Sequence, residues 1–491
     1  MAGALLAKEG HRVTVVEKNL TLGGGLQCFH RGDAVYATGM HISGGFHLHG
    51  TLRRICQYLG ILPQINLMHS DDQASDVVRF LSSNTEFRLP TGKDNFVDYL
   101  SQCFPSEALG IRKYVDALSS IAEEVDLYHL RHSTHSIFQH SQQFFIPVSQ
   151  LIDSCVTHPL LRALLAYLNP LYAGLKDHTP AYIHALISLL HINGTSQFVG
   201  GSQQLADLLR GVILSAGGNI LLGDPVTHVD VINRKVQRVE TQNGNTIVAD
   251  NYISAIHPSS LVQMVSPHAF TPCFQRRIES VPNTCSGFSV FLRFRPQSFP
   301  FFKYAQYLLR DERHVWNQHQ YPPSQWPAGL MFVTPPEPNH ATGQNTYADT
   351  MIINCLMSYD WVRPWESSRV GRRPDDYYHW KQQRVDQVLD MMTEVYPNFR
   401  DSIASVFAAS PLTIRDYYGT PQGALYGMQK DSDNITLSQM SVFTKISNLF
   451  FTGQNINLHG LCGVTMTALE TAESIVGKNT IVDKINDYCE Q

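Results

Sequence analysis

A chain of 491 residues exceeds what one hydrophobic core organises, about 250–300 residues, so two closely packed domains are expected. Hydrophobic residues make up 43% and charged residues 16%, the balance of a globular protein, and a net charge of −5 argues against a nucleic-acid-binding face. The 22 histidines are scattered without an HExxH pattern and the nine cysteines form no CxxC, so no metal site is expected and free thiols in a reducing compartment are. The opening MAGALLAKEGHRVTVVEKN lacks the charged-then-apolar pattern of a signal peptide, and no run of about 18 apolar residues occurs. A cytoplasmic location, with peripheral association at a membrane surface, is the expectation.

The first stretch is the most informative. Ala2–Lys8 is rich in helix formers and ends before Gly10. His11–Glu17 then alternates and is β-branched, as a strand should be, and closes on an acid before Gly23-Gly24-Gly25. Helix, strand and acid make the second half of a βαβ dinucleotide-binding unit, in which the acid lies about 20 residues beyond a GxGxxG turn and holds the ribose hydroxyls. Counted back from Glu17, that turn and the strand before it fall upstream of Met1. The chain as written is therefore expected to be N-terminally truncated, to fold poorly and to bind a dinucleotide weakly.

Residues 50–195 read as helices alternating with loops. Phe145–Leu190 is markedly apolar and is broken by Pro159, Pro170 and Pro180, which predicts short helices that either form core or line an apolar tunnel or membrane-facing surface. A helix is predicted over Gln203–Leu214, then strands over Asn219–Leu222, Val226–Ile232 and Lys235–Glu240, a hairpin turn at Gln242–Asn245, and a strand over Tyr252–Ala255. Strands are expected at Gly287–Phe294, Leu330–Thr334 and Met351–Met357, a loop at Pro335–Tyr347, and a helix over Trp380–Tyr396. Near the end, Leu449–Thr452 reads as a buried strand, and the glycine-rich turn Gly453–Gly463 leads into a helix stopped by Gly477. The positive end of that helix favours an anion or electron-rich ring in the turn.

Four separated segments together resemble the flavin-dependent phytoene desaturase, carotenoid isomerase and retinol saturase family: ALLAKEGHRVTVVEKN with GGGLQCF, then FVGGSQQLA from Phe198, VADNYISAIHP from Val248, and FTGQNINLHGLCGV from Phe451. The resemblance implies an α/β fold: a discontinuous, doubly wound, Rossmann-like FAD-binding domain (1–70, 195–265 and 440–491), its first strand and GxGxxG absent. A substrate-binding domain (71–194 and 266–439) would add a mixed β-sheet and helical cover. It implies FAD as cofactor and a long apolar polyene or prenyl lipid as substrate, with carbon–carbon bonds desaturated or saturated. Cis–trans isomerisation and a non-catalytic relic are the alternatives.

Carried onto this chain, Glu17 would bind the adenosine ribose, Gly23 and Gly24 would let the backbone approach the pyrophosphate, and Val226 would meet the adenine through its main chain. Gly453, Gln454 and Asn455, with the amides of Gly463 and Val464, would hold the ribityl chain and the pyrimidine edge of the flavin. Gly39 and His41 would lie beside the ring, His41 being the one side chain with a claim to a catalytic role. The pattern departs from many members at Gly25, where an Arg is frequent, and at Ala37, where an Asp is frequent.

Overall fold

The computed structural model describes residues 1–71, 74–132, 139–316 and 322–490. Helix Ala2–Lys8 forms as expected and buries Ala4, Leu5 and Leu6 in a core that also takes Leu205 and Leu209 of helix Gln203–Ser215 and Leu469 and Ala472 of helix Gly460–Val476. Its neighbour strand is Thr14–Glu17, shorter than His11–Glu17, because pairing begins only where Thr14 meets Asn219.

The parallel strands of this region form two separate pairs. Thr14–Glu17 pairs with Asn219–Leu222, and Tyr252–Ser254 pairs with Leu449–Phe451. Leu449–Phe451 is also held on its other side, where the Phe451 N–H donates to Val442. Thr14–Glu17 and Tyr252–Ser254 each keep one edge without a ladder partner among the described residues. Between the pairs in sequence runs the antiparallel sheet of Val226–Ile232, Lys235–Thr241 and Thr246–Ile247.

The second assembly is a seven-stranded mixed sheet in the order 403–409, 286–294, 350–357, 329–333, 305–309, 76–80, 85–89. Only Ala305–Leu309 with Asp76–Phe80 is a parallel pair; the other neighbours are antiparallel. The strands in residues 50–195 correct the all-helical reading of that stretch: Leu67–His69, Asp76–Phe80 and Thr85–Leu89 lie there. Leu67–His69 and Asp76–Phe80 take partners far away in sequence, Ser196–Phe198 and Ala305–Leu309, where a local pattern carries no information, and Thr85–Leu89 joins the sheet as the hairpin partner of Asp76–Phe80. The expected loop at Pro335–Tyr347 contains one helical turn, Pro338–Ala341, closed by a reciprocal cap between Glu337 and His340.

The apolar stretch forms helices Val148–Asp153, Pro159–Leu165 and Ala181–Ile192, with Pro159 at a helix start and Pro180 just before one, where a missing N–H costs nothing. Val148, Leu151, Leu161, Leu164, Ala185 and Leu189 are buried in the core that covers one face of the large sheet. The stretch therefore builds core and presents no continuous apolar surface. No helix among the described residues is long and apolar enough to cross a membrane. All nine cysteines are unpaired.

Candidate functional site

Parallel strands place a ligand beyond their carboxyl ends, where loops leave the sheet. At the first pair that end is Glu17. Its Oε1 accepts from the N–H of Asn19 at 2.8 Å, and its other oxygen has no partner among the described residues. The Glu17 carbonyl accepts the N–H of Asp224 at 3.1 Å. Asp224 in turn takes Thr241 Oγ1 at 2.8 Å, Asn243 N–H at 2.9 Å and Asn245 Nδ2 at 2.7 Å, so the hairpin is tied to the end of the Glu17 strand. Val226, two residues on, sits in register with Thr241 at the start of its own strand. The end of the Glu17 strand and the start of the Val226 strand are thus tied together through Asp224.

Gly23–Gly25 folds back on the segment that follows the hairpin Cys28–Arg31/Ala34–Ala37: Met40 N–H donates to Gly25 O at 3.0 Å, and Thr38 N–H to Gln27 O at 2.9 Å. A Cβ on Gly39 would fall onto the Tyr418 hydroxyl and 3.3 Å from Gly25 O. A larger residue there would have to displace the Tyr418 hydroxyl. His41 follows; burial pushes its imidazole down to about 4, which leaves it neutral at neutral pH.

At the second pair, Thr452 and Gly453 leave the strand. Gln454 Nε2 donates to Leu425 O at 3.3 Å, Asn455 Oδ1 accepts from Met428 N–H at 3.3 Å, and Lys430 Nζ donates to Ser438 O (2.8 Å), Asn455 O (3.2 Å) and Ile456 O (2.8 Å). Gln454 and Asn455 thus use their side chains to fasten residues 425–430. The helix begins at Gly460, so the N–H groups of Gly460, Leu461 and Cys462 are free of intrahelical acceptors, whereas those of Gly463 and Val464 lie inside the hydrogen-bonded turns. The N–H groups this turn leaves free, Gly460 to Cys462, come just before Gly463 and Val464, the two the resemblance points to. Gly463 also has a packing reason of its own: a Cβ there would lie 2.6 Å from Leu458 Cβ.

Sequence reasoning missed the segment that links the two strand ends. Residues 415–430 pass from Lys18 and Asn19, which donate to Asp416 O and Tyr417 O, past Tyr418 beside Gly25 and Gly39, to Leu425 and Met428 on Gln454 and Asn455. The signal was present: Gly419, Gly423 and Gly427 recur every four residues, and all three adopt positive φ (70°, 61° and 73°).

The arrangement fits a flavin dinucleotide. Several buried polar atoms near these ends lack any partner: Ser254 Oγ and Thr452 Oγ1 beyond the second strand pair, Thr465 Oγ1 and His459 Nε2 around the helix start, and His41 Nδ1. Buried polar groups are normally paired, so a cluster of orphans at strand ends and a helix start matches a polar ligand. Among the described residues one group could offer metal ligands, the exposed His178 and Asp433 with the half-buried Asp431.

Helix Gly460–Val476 also carries a titration. Glu470 accepts from Asn457 Nδ2 at 2.7 Å, yet burial raises its carboxyl to about 7 against an ordinary 4.5. Because its folded value is raised, the fold holds a proton that the unfolded chain releases. Stability is then full below pH 4.5 and falls as pH rises towards 7, by up to about 1.4 kcal/mol per unit, levelling above. Melting temperatures across pH 4.5–8 should show this slope in the parent and a flatter one in Glu470→Gln.

The profile of the family described as Flavin containing amine oxidoreductase matches residues 1–476. The all-trans-retinol 13,14-reductase of Danio rerio is 23% identical over 509 residues, covering 97% of this chain and 84% of that protein. Prolycopene isomerase 1 of an Oncidium hybrid cultivar is 27% identical over 283 residues, 52% of this chain and 46% of its own. Among solved structures, an oxidoreductase from Methanosarcina mazei superposes with a TM-score of 0.64 at 14% identity, covering 96% of both chains.

Proposed function

Because the chain belongs to the flavin containing amine oxidoreductase family, an FAD-binding oxidoreductase family, we propose that it changes the saturation of carbon–carbon bonds in a long apolar polyene or prenyl lipid. The observation that carries this reading is the nearly end-to-end likeness to a retinol reductase. The discontinuous division into an FAD-binding part (1–70, 195–265, 440–491) and a substrate-binding part is supported by the cores: one gathers residues from Ala4, Leu205, Leu469 and Ile481, and another joins the helical cover to the large sheet.

FAD, when bound, supplies a two-electron hydride acceptor or donor. Glu17 would hold the ribose through its free carboxylate oxygen, and the N–H groups of Gly460–Cys462 would face the electron-rich end of the ring. The neutral His41 and the packed Gly39–Tyr418 contact would border the reacting face and exclude water. Peripheral membrane association would supply the apolar substrate; since Phe145–Leu190 is core, that contact would use other residues.

The test is anaerobic incubation of the FAD-loaded chain with phytoene, flavin oxidised, and with all-trans-retinol, flavin first reduced with dithionite, following flavin absorbance and product mass. A mass change of two hydrogens with matching bleaching or reoxidation of the flavin supports the proposal. An unchanged mass with altered geometry supports isomerisation instead, and turnover of small polar amines alone overturns the substrate class. Glu17→Ala should raise the FAD dissociation constant by about 10–100-fold, the loss of a charge-assisted hydrogen bond to the ribose. Unchanged FAD affinity would remove Glu17 from the site.

A further inference from the structure

Strand Ser196–Phe198 runs antiparallel to Leu67–His69 and sets Gln197 opposite Met68. Gln197 is 1% exposed, yet neither its Nε2 nor its Oε1 has a hydrogen-bond partner. Among the described residues it is the one buried side-chain amide with both ends orphaned. A buried amide left unpaired costs the free energy of desolvating both of its atoms, so an occupant that pairs with them is favoured.

Gln197 lines a cavity together with His41, whose Nδ1 is also buried and unpartnered. Val35, Ala37, Phe198 and Ile352 supply apolar wall. Glu337 borders the same cavity, but its carboxylate takes the backbone N–H of His340 in the cap of its own helical turn. Gln197 and His41, which together hold three buried and unpartnered polar atoms, thus line a mainly apolar chamber between the hairpin 28–37, the glycine turn at Gly200 and the large sheet, with Glu337 at its edge.

Resting on the polyene reading above, we propose that Gln197, with His41, binds the hydroxyl end-group of an apolar polyene alcohol. An amide offers one donor and one acceptor, and a hydroxyl offers the reciprocal pair. A carboxylate would bring a second negative charge beside Glu337, and an ammonium would be drawn to Glu337 rather than to the neutral amide, so the hydroxyl is the group the amide itself selects. The pyrimidine edge of a flavin presents the same neighbouring donor and acceptor, and a trapped water can satisfy the same atoms, so the test separates all three.

The FAD-loaded chain is titrated with all-trans-retinol and with retinyl methyl ether, which keeps the oxygen acceptor and lacks the O–H donor, following quenching of tryptophan fluorescence. The parent is expected to prefer the alcohol by about tenfold, the size of one buried hydrogen bond between neutral groups. Gln197→Leu should weaken both ligands, retinol about tenfold more than the ether, so that the preference for the alcohol is lost. Gln197→Met, closer in shape, should do the same and guards against loss of fold, which circular dichroism monitors. Equal weakening of both ligands, or of neither, in the two variants overturns the assignment and leaves a packing or water-binding role. A raised FAD dissociation constant with the alcohol preference intact also overturns it, in favour of the flavin edge. Failure of the parent to bind either ligand sinks the polyene reading itself, and this inference with it.

Discussion

Replacing Asp76 with alanine is expected to destabilise the chain by about 3–5 kcal/mol, the cost of leaving two buried hydrogen-bonding groups without their partner and opening a void. Asp76 lies on strand Asp76–Phe80 and is completely buried. Its Oδ2 accepts from the Tyr167 hydroxyl at 2.8 Å and lies 2.7 Å from His191 Nδ1. Its Oδ1 has no partner, so the group already bears part of its desolvation cost. His191 stands at the end of helix Ala181–Ile192, and its carbonyl accepts from Ser75 Oγ at 2.9 Å, next to Asp76 in sequence. The carboxylate thus pins the helical cover to the sheet from inside an apolar core. Alanine would leave both Tyr167 and His191 without their partner and open a void. Denaturant unfolding measures the loss, and Asp76→Asn, which keeps one acceptor and the volume, should cost less than alanine. A difference below 1 kcal/mol for Asp76→Ala would mean that the cluster does not hold the two layers together.

The same cluster shows where sequence reading stops. Asp76 falls in a stretch read as helices and loops, and nothing local says that Tyr167 and His191 come to meet it. By contrast, helix Ala2–Lys8 and strands Asn219–Leu222 and Val226–Ile232 match their expected bounds, because their periodicity, turn residues and caps are all local. The opening helix, strand and glycine turn were legible because they form a short contiguous run, with Glu17 closing its strand and the glycines turning after it. The candidate site was not legible where it is closed by a distant segment: residues 415–430 reach Lys18 at one end and Asn455 at the other. Gln197 was passed over for the same reason. Within Ser196–Phe198 it is one polar residue in a short strand, and only the fold reveals that both ends of its amide are buried and unpaired.

Gly463→Val is expected to cost about 3 kcal/mol or more in stability, at the upper end of what overpacking a filled site costs. The resemblance alone attributes this glycine to close approach of a flavin, and then the substitution would slow flavin reduction while leaving stability nearly intact. The geometry assigns it another cause. A Cβ at Gly463 would stand 2.6 Å from Leu458 Cβ, 2.9 Å from the Leu458 carbonyl carbon and 3.1 Å from its oxygen. Two of those atoms are backbone and cannot swing aside as the end of a flexible side chain can. Relief therefore requires the turn before the helix to move, and that turn carries Asn455, whose side chain holds Met428 and whose carbonyl receives Lys430. The displaced turn should in consequence weaken FAD binding as well, through the N–H groups at the helix start. Gly463→Ala, which adds the Cβ without the two methyls of valine, should show a smaller loss of the same kind. Thermal unfolding and flavin reduction rate, measured on both variants with FAD bound, separate the two accounts. A fall in melting temperature that grows from alanine to valine supports the Leu458 contact. An unchanged melting temperature with slowed reduction would restore close flavin approach as the reason for the glycine.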